Sequence, residues 1–210
     1  QILLNKNSLD GKTFLDIGCG SGLSSLAAKE LGAKVFSFDY DKNSVFCTKK
    51  LKAKFRPNDK NWHIQGGSIL DNKFLESIGK FDIVYSWGVI HHTGNMIQGL
   101  ENVLIPLEKK DGSLAIAIYN DQGFKSNFWK IIKKSYNSSF LLSLFIKIIF
   151  IPIYTILYIF YGTIFHKNPF WSFINYKKSR GMAIYYDWVD WLGGYPYEVA
   201  KPEGIFSFFF

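Results

Sequence analysis

Short apolar runs alternate with amphipathic stretches through the first 120 residues. Five runs have the length and composition of buried strands: 12–18, 33–39, 61–67, 80–87 and 112–120. Three intervening stretches have helical spacing of apolar residues: 21–33, 41–55 and 95–107. Strands that alternate with helices at this pitch predict βαβ units and a mainly parallel sheet with helices on both faces. We therefore expect an α/β core over residues 1–122.

The pattern changes after residue 120. Residues 126–165 are helical in length and strongly apolar, and a polar, aromatic stretch separates them from 180–206. We expect an apolar helical insertion or lid over 123–180, and a substrate-side cap over 181–210 that leads to the truncated end of the core. The chain begins with Gln1 and ends in Phe-Phe-Phe. Because such an exposed apolar end is unusual, we expect a fragment cut at both ends.

The apolar segment 140–160 allows three interpretations. Its length suits a membrane span, but Lys147 and Pro152 lie inside it, and a span would separate 180–198 from the core. A lid over an apolar substrate is the interpretation that we favour. A helix in the membrane interface, with contact through 125–165, is the third, because lysines that suit anionic headgroups precede the run. These are Lys125, Lys130, Lys133 and Lys134.

Composition adds two constraints. The formal charge of +8 over 210 residues suits an anionic partner such as RNA, a lipid headgroup or an acidic metabolite, or simply a soluble basic surface. Cys19 and Cys47 are the only cysteines, which is neither a disulfide framework nor a zinc site. We predict no metal and a cytoplasmic location, with peripheral attachment to the inner face of the membrane as an extension of the interfacial interpretation.

The run "FLDIGCGSG" at 14–22 places three glycines after a buried strand. Leu23 stands where a dinucleotide fingerprint needs its third glycine, and no phosphate-binding P-loop motif is present. Asp16 precedes the glycines, and a carboxylate there repels phosphate but pairs with an ammonium group. Asp39 ends the second strand, where an acid accepts hydrogen bonds from ribose hydroxyls; alternatively it caps the next helix, as we expect for Asp41. The residues thus predict S-adenosylmethionine.

Five motifs of this chain, in their order and spacing, resemble those of class I S-adenosylmethionine-dependent methyltransferases. They are "FLDIGCGSG", "FSFDYD", "GGSILD", "FDIVYSWGVIHHTGN" and "KKDGSLAIAIYN", which together cover residues 12–120. The resemblance implies a Rossmann-like fold with seven strands in the order 3-2-1-4-5-7-6. This chain departs from that pattern by ending before a convincing sixth and seventh strand. The variant "VIHHTGN" is similar to methylases of small molecules, including the ubiquinone-biosynthesis type.

The resemblance, together with the residues, implies a cofactor site at the carboxyl ends of the strands. The glycines would let the methionine part approach the backbone, Asp16 would orient the ammonium and Asp39 would hold the ribose. Ser68 and Ile69 would flank the adenine, and an acidic contact from Asp71 is left open. The full predicted set is Asp16, Gly18, Cys19, Gly20, Gly22, Asp39, Tyr40, Ser68, Ile69, Ser86 and Trp87.

His91 and His92 are the candidate general bases, because imidazole titrates near neutrality. The alternative is that one packs beneath the cofactor and the other bonds locally. Other aromatic and acidic side chains could line the acceptor pocket, or could simply pack. These are Tyr119, Tyr185, Asp187, Asp190, Trp191 and Tyr195.

The predicted function is methyl transfer to oxygen or carbon of a small or lipid-like acceptor. The fourth strand ends in "SWGV" and not in an "NPPY"-like motif, which argues against a nucleobase amine as the acceptor. An RNA or protein methyltransferase that uses the basic surface is one alternative. A membrane-attached, non-enzymatic module that keeps a cofactor site is another.

Overall fold

The computed structural model describes residues 8–180 and 183–209, apart from the side chains of residues 179 and 180. The chain divides into two compact units, one of residues 1–120 with 198–210 and the other of 121–197. The core thus ends two residues before the predicted boundary. The predicted cap is divided, since the part before residue 198 belongs with the helices and the part after it with the core.

The core unit holds a five-stranded, fully parallel sheet with the strand order β3-β2-β1-β4-β5. This confirms the predicted α/β fold and the first five positions of the order that the resemblance implied. The strands are β1 (Thr13–Ile17), β2 (Lys34–Asp39), β3 (Trp62–Gly66), β4 (Ile83–Trp87) and β5 (Ser113–Ala117). The helices between them are α1 (Leu23–Glu30), α2 (Lys42–Phe55), α3 (Asn72–Ser77) and α4 (Met96–Asn102).

Alternate residues of the central strands point to opposite faces of the sheet, and both faces are buried. In β1, Phe14 belongs to one apolar cluster, whereas Leu15 and Ile17 belong to the other. Ile83 and Val84 divide in the same way in β4. Because helices cover both faces, these strands are apolar without alternation, which is why they are recognisable in the sequence.

Two helices of the core unit were not predicted. Helix α3 begins after Asp71, whose carboxylate accepts the backbone N–H of Phe74 at 3.1 Å. The last described helix, α9 (Pro202–Phe209), follows α5 to α8 of the other unit and packs Ile205 and Phe208 against the main core cluster. The C-terminal segment therefore contributes to the core.

Four helices form the second unit: α5 (Phe124–Ser138), α6 (Phe140–His166), α7 (Trp171–Arg180) and α8 (Ile184–Gly193). The predicted helical stretch is broken at Ser139, which caps α6 by accepting the N–H of Leu142 at 3.2 Å. Helix α6 packs against the other three. Among the described residues it is the one helix long and apolar enough to cross a membrane, judged by length and composition alone.

Candidate functional site

The glycine bend is fixed to the end of the neighbouring strand. The backbone N–H groups of Gly18 and Cys19 both donate to the carbonyl of Phe38, at 2.9 and 3.0 Å. A tight turn follows, in which Gly22 N–H donates to the carbonyl of Cys19 at 2.8 Å. These bonds hold the bend at the carboxyl end of the sheet, where ligands of open α/β folds bind.

The three glycines serve different purposes. A Cβ added at Gly18 would lie 2.4 Å from the Val89 side chain, and one at Gly22 would lie 2.8 Å from the Thr48 side chain. These two glycines are therefore required by packing. A Cβ at Gly20 meets no atom within 4 Å, although its φ is +53°. The bend thus presents bare backbone to open space at Gly20, which suits close approach of a ligand.

The carboxylate of Asp39 joins the bend to the next helix. One oxygen accepts the Gly20 N–H at 2.9 Å, and the other accepts the Asp41 N–H at 2.9 Å. Asp41, as expected, caps α2 by accepting the N–H groups of Asn43 at 3.2 Å and Ser44 at 2.9 Å. Asp39 does not cap this helix, and it stands beside the open face of Gly20, where it could bind a ligand.

Asp16 lies beneath the bend and is only 2% exposed. It accepts a 2.5 Å hydrogen bond from the hydroxyl of Ser25, which lies 2.7 Å from the hydroxyl of Ser37. Desolvation by burial raises the pKa of Asp16 to about 6, against the lowering effect of the bonds from Ser25. The charge of Asp39 adds to the rise, so the two predicted acids act on each other. Asp16 would thus influence a ligand chiefly through its charge.

The other predicted residues near the bend differ in exposure. Cys19 is 6% exposed, and desolvation raises the pKa of its thiol to about 12, so it stays neutral and unreactive. Thr48 was not predicted; its hydroxyl donates to the Gly20 carbonyl at 3.0 Å and lies 3.4 Å from the Cys19 sulfur. Tyr40 is 86% exposed.

The segment after β3 is built differently from the prediction. The hydroxyl of Ser68 accepts the N–H of Leu70 at 3.1 Å, which forms a local turn. The Ile69 side chain is buried in the main core cluster, where an apolar group is most stable, and so does not lie open to an adenine. Asp71 caps α3 and is exposed.

The end of β4 lies beside the glycine bend, because Val89 contacts the position where Gly18 lacks a side chain. Ser86 is fully buried, whereas Trp87 is 49% exposed and stacks on Tyr85 with ring centres 6.0 Å apart. Of these two residues of the predicted cofactor set, Trp87 therefore presents the larger open surface.

The two candidate bases have different environments. His91 is fully buried, with its ring centre 4.0 Å from that of Tyr119 and 4.4 Å from that of His92. Both histidines lie in a single 3-10 turn, Ile90–His92. His92 keeps partial exposure and meets Tyr119 edge-on at 5.5 Å. Burial assigns His91 to packing, as the alternative interpretation expected for one of the pair, and leaves His92 as the candidate base.

Glu198 organises this part of the core. Its backbone N–H donates to the His91 carbonyl at 2.9 Å, and its carboxylate accepts the N–H of Met96 at 3.1 Å. Met96 is the first residue of α4, so the negative charge also lies at a helix N-terminus, where it is favourable. No local sequence signal connects position 198 with position 91, and the contact was missed for that reason.

The remaining predicted substrate-side residues lie in the second unit. Asp187 accepts a hydrogen bond from the hydroxyl of Tyr176. The ammonium of Lys133 lies 3.9 Å from the ring centre of Trp191, and Asp190 adds a favourable charge to that lysine. Tyr185 and Tyr195 are 48% and 39% exposed. A role for these residues in acceptor binding stays a prediction. Over residues 8–180 and 183–209, no cluster of acidic, histidine and cysteine side chains suits a metal.

The order of the parallel strands, with a glycine bend after β1 and an acid after β2, defines a Rossmann-like nucleotide-binding core. Residues 15–114 match the family model described as "Methyltransferase domain". A solved structure of PKMT2 from Rickettsia typhi, in complex with AdoHcy, is 26% identical, with a TM-score of 0.50 over 61% of this chain and 24% of that one. Residues 15–114 of this chain are therefore a class I S-adenosylmethionine-dependent methyltransferase domain.

Curated relatives extend the comparison. The Ribosomal protein L11 methyltransferase of Helicobacter hepaticus is 35% identical over 39% of this chain and 25% of that protein. The Ubiquinone biosynthesis O-methyltransferase of Glaesserella parasuis is 32% identical over 54% of this chain and 48% of that protein. This chain therefore spans between a quarter and about half of the length of these relatives. A putative methyltransferase of Bacillus halodurans, 19% identical with a TM-score of 0.53 over 65% of this chain and 57% of that one, shares the fold.

Proposed function

We propose that this protein transfers a methyl group from S-adenosylmethionine to a small or lipid-like acceptor, at oxygen or carbon. The observation that carries this proposal is the bare backbone of Gly20, which faces open space beside the carboxylate of Asp39. A nucleoside with a positively charged sulfur needs this combination of a close backbone approach and nearby acids.

The residues fit the cofactor in a defined way. Asp39 would hold the ribose, Trp87 would cover the methionine arm, and the buried charge of Asp16 would attract the ammonium. The bound cofactor supplies an activated methyl group, so the protein needs chiefly to align the acceptor, exclude water and remove a proton where the acceptor carries one. His92, which is partly exposed and next to Tyr119, would accept that proton.

Replacing Asp39 with alanine is expected to weaken cofactor binding by roughly 1–3 kcal/mol, because two ribose hydroxyls lose their acceptor. Isothermal titration calorimetry with S-adenosylmethionine measures this directly. Asp41→Ala is the matched control, since it also removes a carboxylate that accepts two backbone N–H groups. Because Asp41→Ala removes a helix cap, it should lower the free energy of unfolding by about 1 kcal/mol. It should leave the affinity for S-adenosylmethionine unchanged. Equal affinities for Asp39→Ala and the wild type would contradict the role.

The acceptor class is inferred from the second unit. Its helix α6 exposes large apolar side chains along its length, and 6% of its most apolar 18-residue window is buried. Such a surface is suited to an apolar or lipid-like compound and poorly suited to a polar metabolite. The name of the relative from Glaesserella parasuis refers to ubiquinone biosynthesis and to methylation at oxygen.

Methylation of a protein is the second candidate, because several relatives are ribosomal protein L11 methyltransferases. The similarity to the Helicobacter protein extends over 82 residues, and the matched family model covers 15–114. That region holds the cofactor residues and excludes 121–197. The relatives therefore support the shared donor better than they support a shared acceptor.

Incubation with isotopically labelled S-adenosylmethionine tests the proposal. The protein is mixed separately with a lipid extract, a small-metabolite extract, ribosomal proteins and RNA, and mass spectrometry identifies what gains a methyl group. Label in the lipid or metabolite fraction, lost in Asp39→Ala, is the expected result. Label confined to ribosomal protein or RNA would show that the acceptor is a macromolecule and not a small or lipid-like compound. Binding without turnover in every fraction would instead indicate a non-enzymatic module.

A further inference from the structure

Helix α6 turns an uninterrupted apolar surface outward. Fourteen large apolar or aromatic side chains within Phe140–His166 are exposed. A subset follows one row that winds slowly around the helix, with spacings of three or four residues and one of eight across Pro152, and we call this subset the α6 strip. It comprises Leu141, Phe145, Ile148, Ile156, Phe160 and Ile164.

The opposite side of α6 carries the helix contacts. Lys147, the one Lys, Arg, Asp or Glu of Phe140–His166, points its ammonium to the Tyr136 ring at 5.4 Å. Phe150 packs on Trp129 at 5.5 Å, and Tyr154 packs on Trp188 at the same distance. A helix of a water-soluble protein buries its apolar side and exposes its charges; α6 does the reverse.

Charge distinguishes a lipid surface from a neutral apolar partner. Residues 121–197 contain nine of the 25 Lys and Arg residues and three of the 17 Asp and Glu residues, a net +6 of the total +8. An apolar strip in a unit with a strong excess of basic side chains suits an anionic bilayer, where each of these charges adds to the attraction. The exposed lysines are Lys125, Lys130, Lys134, Lys167, Lys177 and Lys178.

We propose that the α6 strip is a membrane-docking surface, which inserts into one leaflet of an anionic phospholipid bilayer with the helix parallel to the membrane plane. The exposed lysines of the same unit attract the anionic headgroups, and the strip occupies the boundary with the acyl chains. This inference goes beyond methyl transfer and does not depend on it.

The packing of α6 decides against a membrane-spanning position. Its contacts with α5, α7 and α8 run along the helix, from Lys147 near Tyr136 to His166, which stacks on Trp171 at 3.5 Å. Those helices carry Lys130, Lys133 and Asp187, and they would enter the hydrocarbon together with α6. Each charge at the centre of a bilayer costs about 2.5–3.5 kcal/mol, whereas one-sided insertion keeps all of them out of the hydrocarbon.

Vesicle co-sedimentation of the full chain without cofactor tests the proposal. Binding should be stronger to vesicles of phosphatidylcholine with phosphatidylglycerol than to phosphatidylcholine alone, and should weaken as salt is added. Binding that depends neither on phosphatidylglycerol nor on salt would overturn the assignment to an anionic surface. Because methyl transfer is not measured, failure here is distinguishable from failure of the proposed function.

Ile148→Glu and Ile156→Glu test the strip itself. Each should weaken vesicle binding roughly tenfold, because the bilayer loses an apolar side chain that it would otherwise bury. Phe46→Glu is the control, because Phe46 is 56% exposed on α2 of the core unit; it should leave binding unchanged. Equal loss in strip and control variants would overturn the proposal. A dimer held through α6 that vesicles fail to dissociate would also overturn it, because a second copy would then cover the strip.

A labelling experiment remains decisive if the glutamate variants fold poorly. Phe145→Cys and Ile156→Cys, each in a Cys47→Ser background, are labelled with an environment-sensitive fluorophore. These positions lie about 16 Å apart along the helix and on the same side of it. Both labels should shift to an apolar emission in anionic vesicles and be quenched at equal depth by brominated lipids. No shift, or clearly different depths as in a span, would overturn the parallel orientation.

Discussion

Replacing Gly20 with valine is expected to abolish S-adenosylmethionine binding while the domain stays folded. A Cβ at Gly20 meets no protein atom within 4 Å, so the new side chain enters space that the proposed ligand needs. We expect a loss of about 3 kcal/mol or more in binding free energy, as for overfilling a tightly fitting site. Calorimetry measures the affinity, and thermal unfolding monitors the fold.

Gly79→Val is the matched control for this substitution. Gly79 also has a positive φ, +85°, and a Cβ there likewise meets nothing within 4 Å. Both valines should therefore lower stability through backbone strain of about 1–2 kcal/mol, but only the one at position 20 should remove binding. Wild-type affinity in Gly20→Val would exclude the bend as the cofactor site. Gly18 is unsuitable for this test, because its Cβ would collide with Val89.

The core was predictable from sequence because its signals are local. A buried parallel strand is a short apolar run, and the bend after β1 requires glycines at fixed positions. The assignment of Asp41 as the α2 cap was confirmed, since capping depends only on the residues that follow. Helix α3 is six residues long and too short for a clear apolar period, which explains why it was not recognised.

The rest of the site depends on contacts between distant segments. Thr48 supports the bend from α2, Val89 closes it from the end of β4, and Glu198 fixes the turn that holds the histidines. None has a motif of its own. The sequence likewise does not distinguish His91 from His92, because adjacent residues with equal chemistry differ only in the direction that the 3-10 turn gives them.

Helix α6 shows a different limit. Apolar residues surround it on all sides, so no periodicity indicates which side packs and which is exposed. In the sequence, the position of Lys147 argued against a membrane span. In the structure that lysine lies on the packed side, over Tyr136, and the exposed side is left without charge.

Replacing Asp16 with asparagine is expected to stabilise the protein in the absence of cofactor at pH 7.5. The pKa of Asp16 is raised by burial from 3.8 to about 6, so ionising it in the folded state costs about 3 kcal/mol. The folded state binds more protons than the unfolded state between these values. The contribution of Asp16 to the free energy of unfolding is therefore most favourable below pH 3.8, and it is lost as the pH rises through 6. Denaturant unfolding at several pH values measures the difference.

Asp82→Asn is the control of opposite sign. Hydrogen bonds from the backbone and hydroxyl of Thr13 lower the pKa of Asp82 to about 2, so its stabilising effect is present above pH 3.8 and is lost as the pH falls through 2. At pH 7.5, Asp82→Asn should therefore destabilise the protein, whereas Asp16→Asn should stabilise it. Destabilisation by both substitutions would show that the Ser25 bond to Asp16 outweighs the desolvation cost.

The same substitution connects stability with cofactor binding. A cationic ligand favours the ionised carboxylate, so binding should lower the pKa of Asp16 and release its proton. From a pKa of about 6, the wild-type affinity at pH 5 should be roughly tenfold lower than at pH 7.5. Asp16→Asn should bind more weakly at pH 7.5 and lose this pH dependence, which calorimetry at the two pH values would reveal. A wild-type affinity that does not change between pH 5 and 7.5 would show that the buried acid does not sense the charge of the ligand.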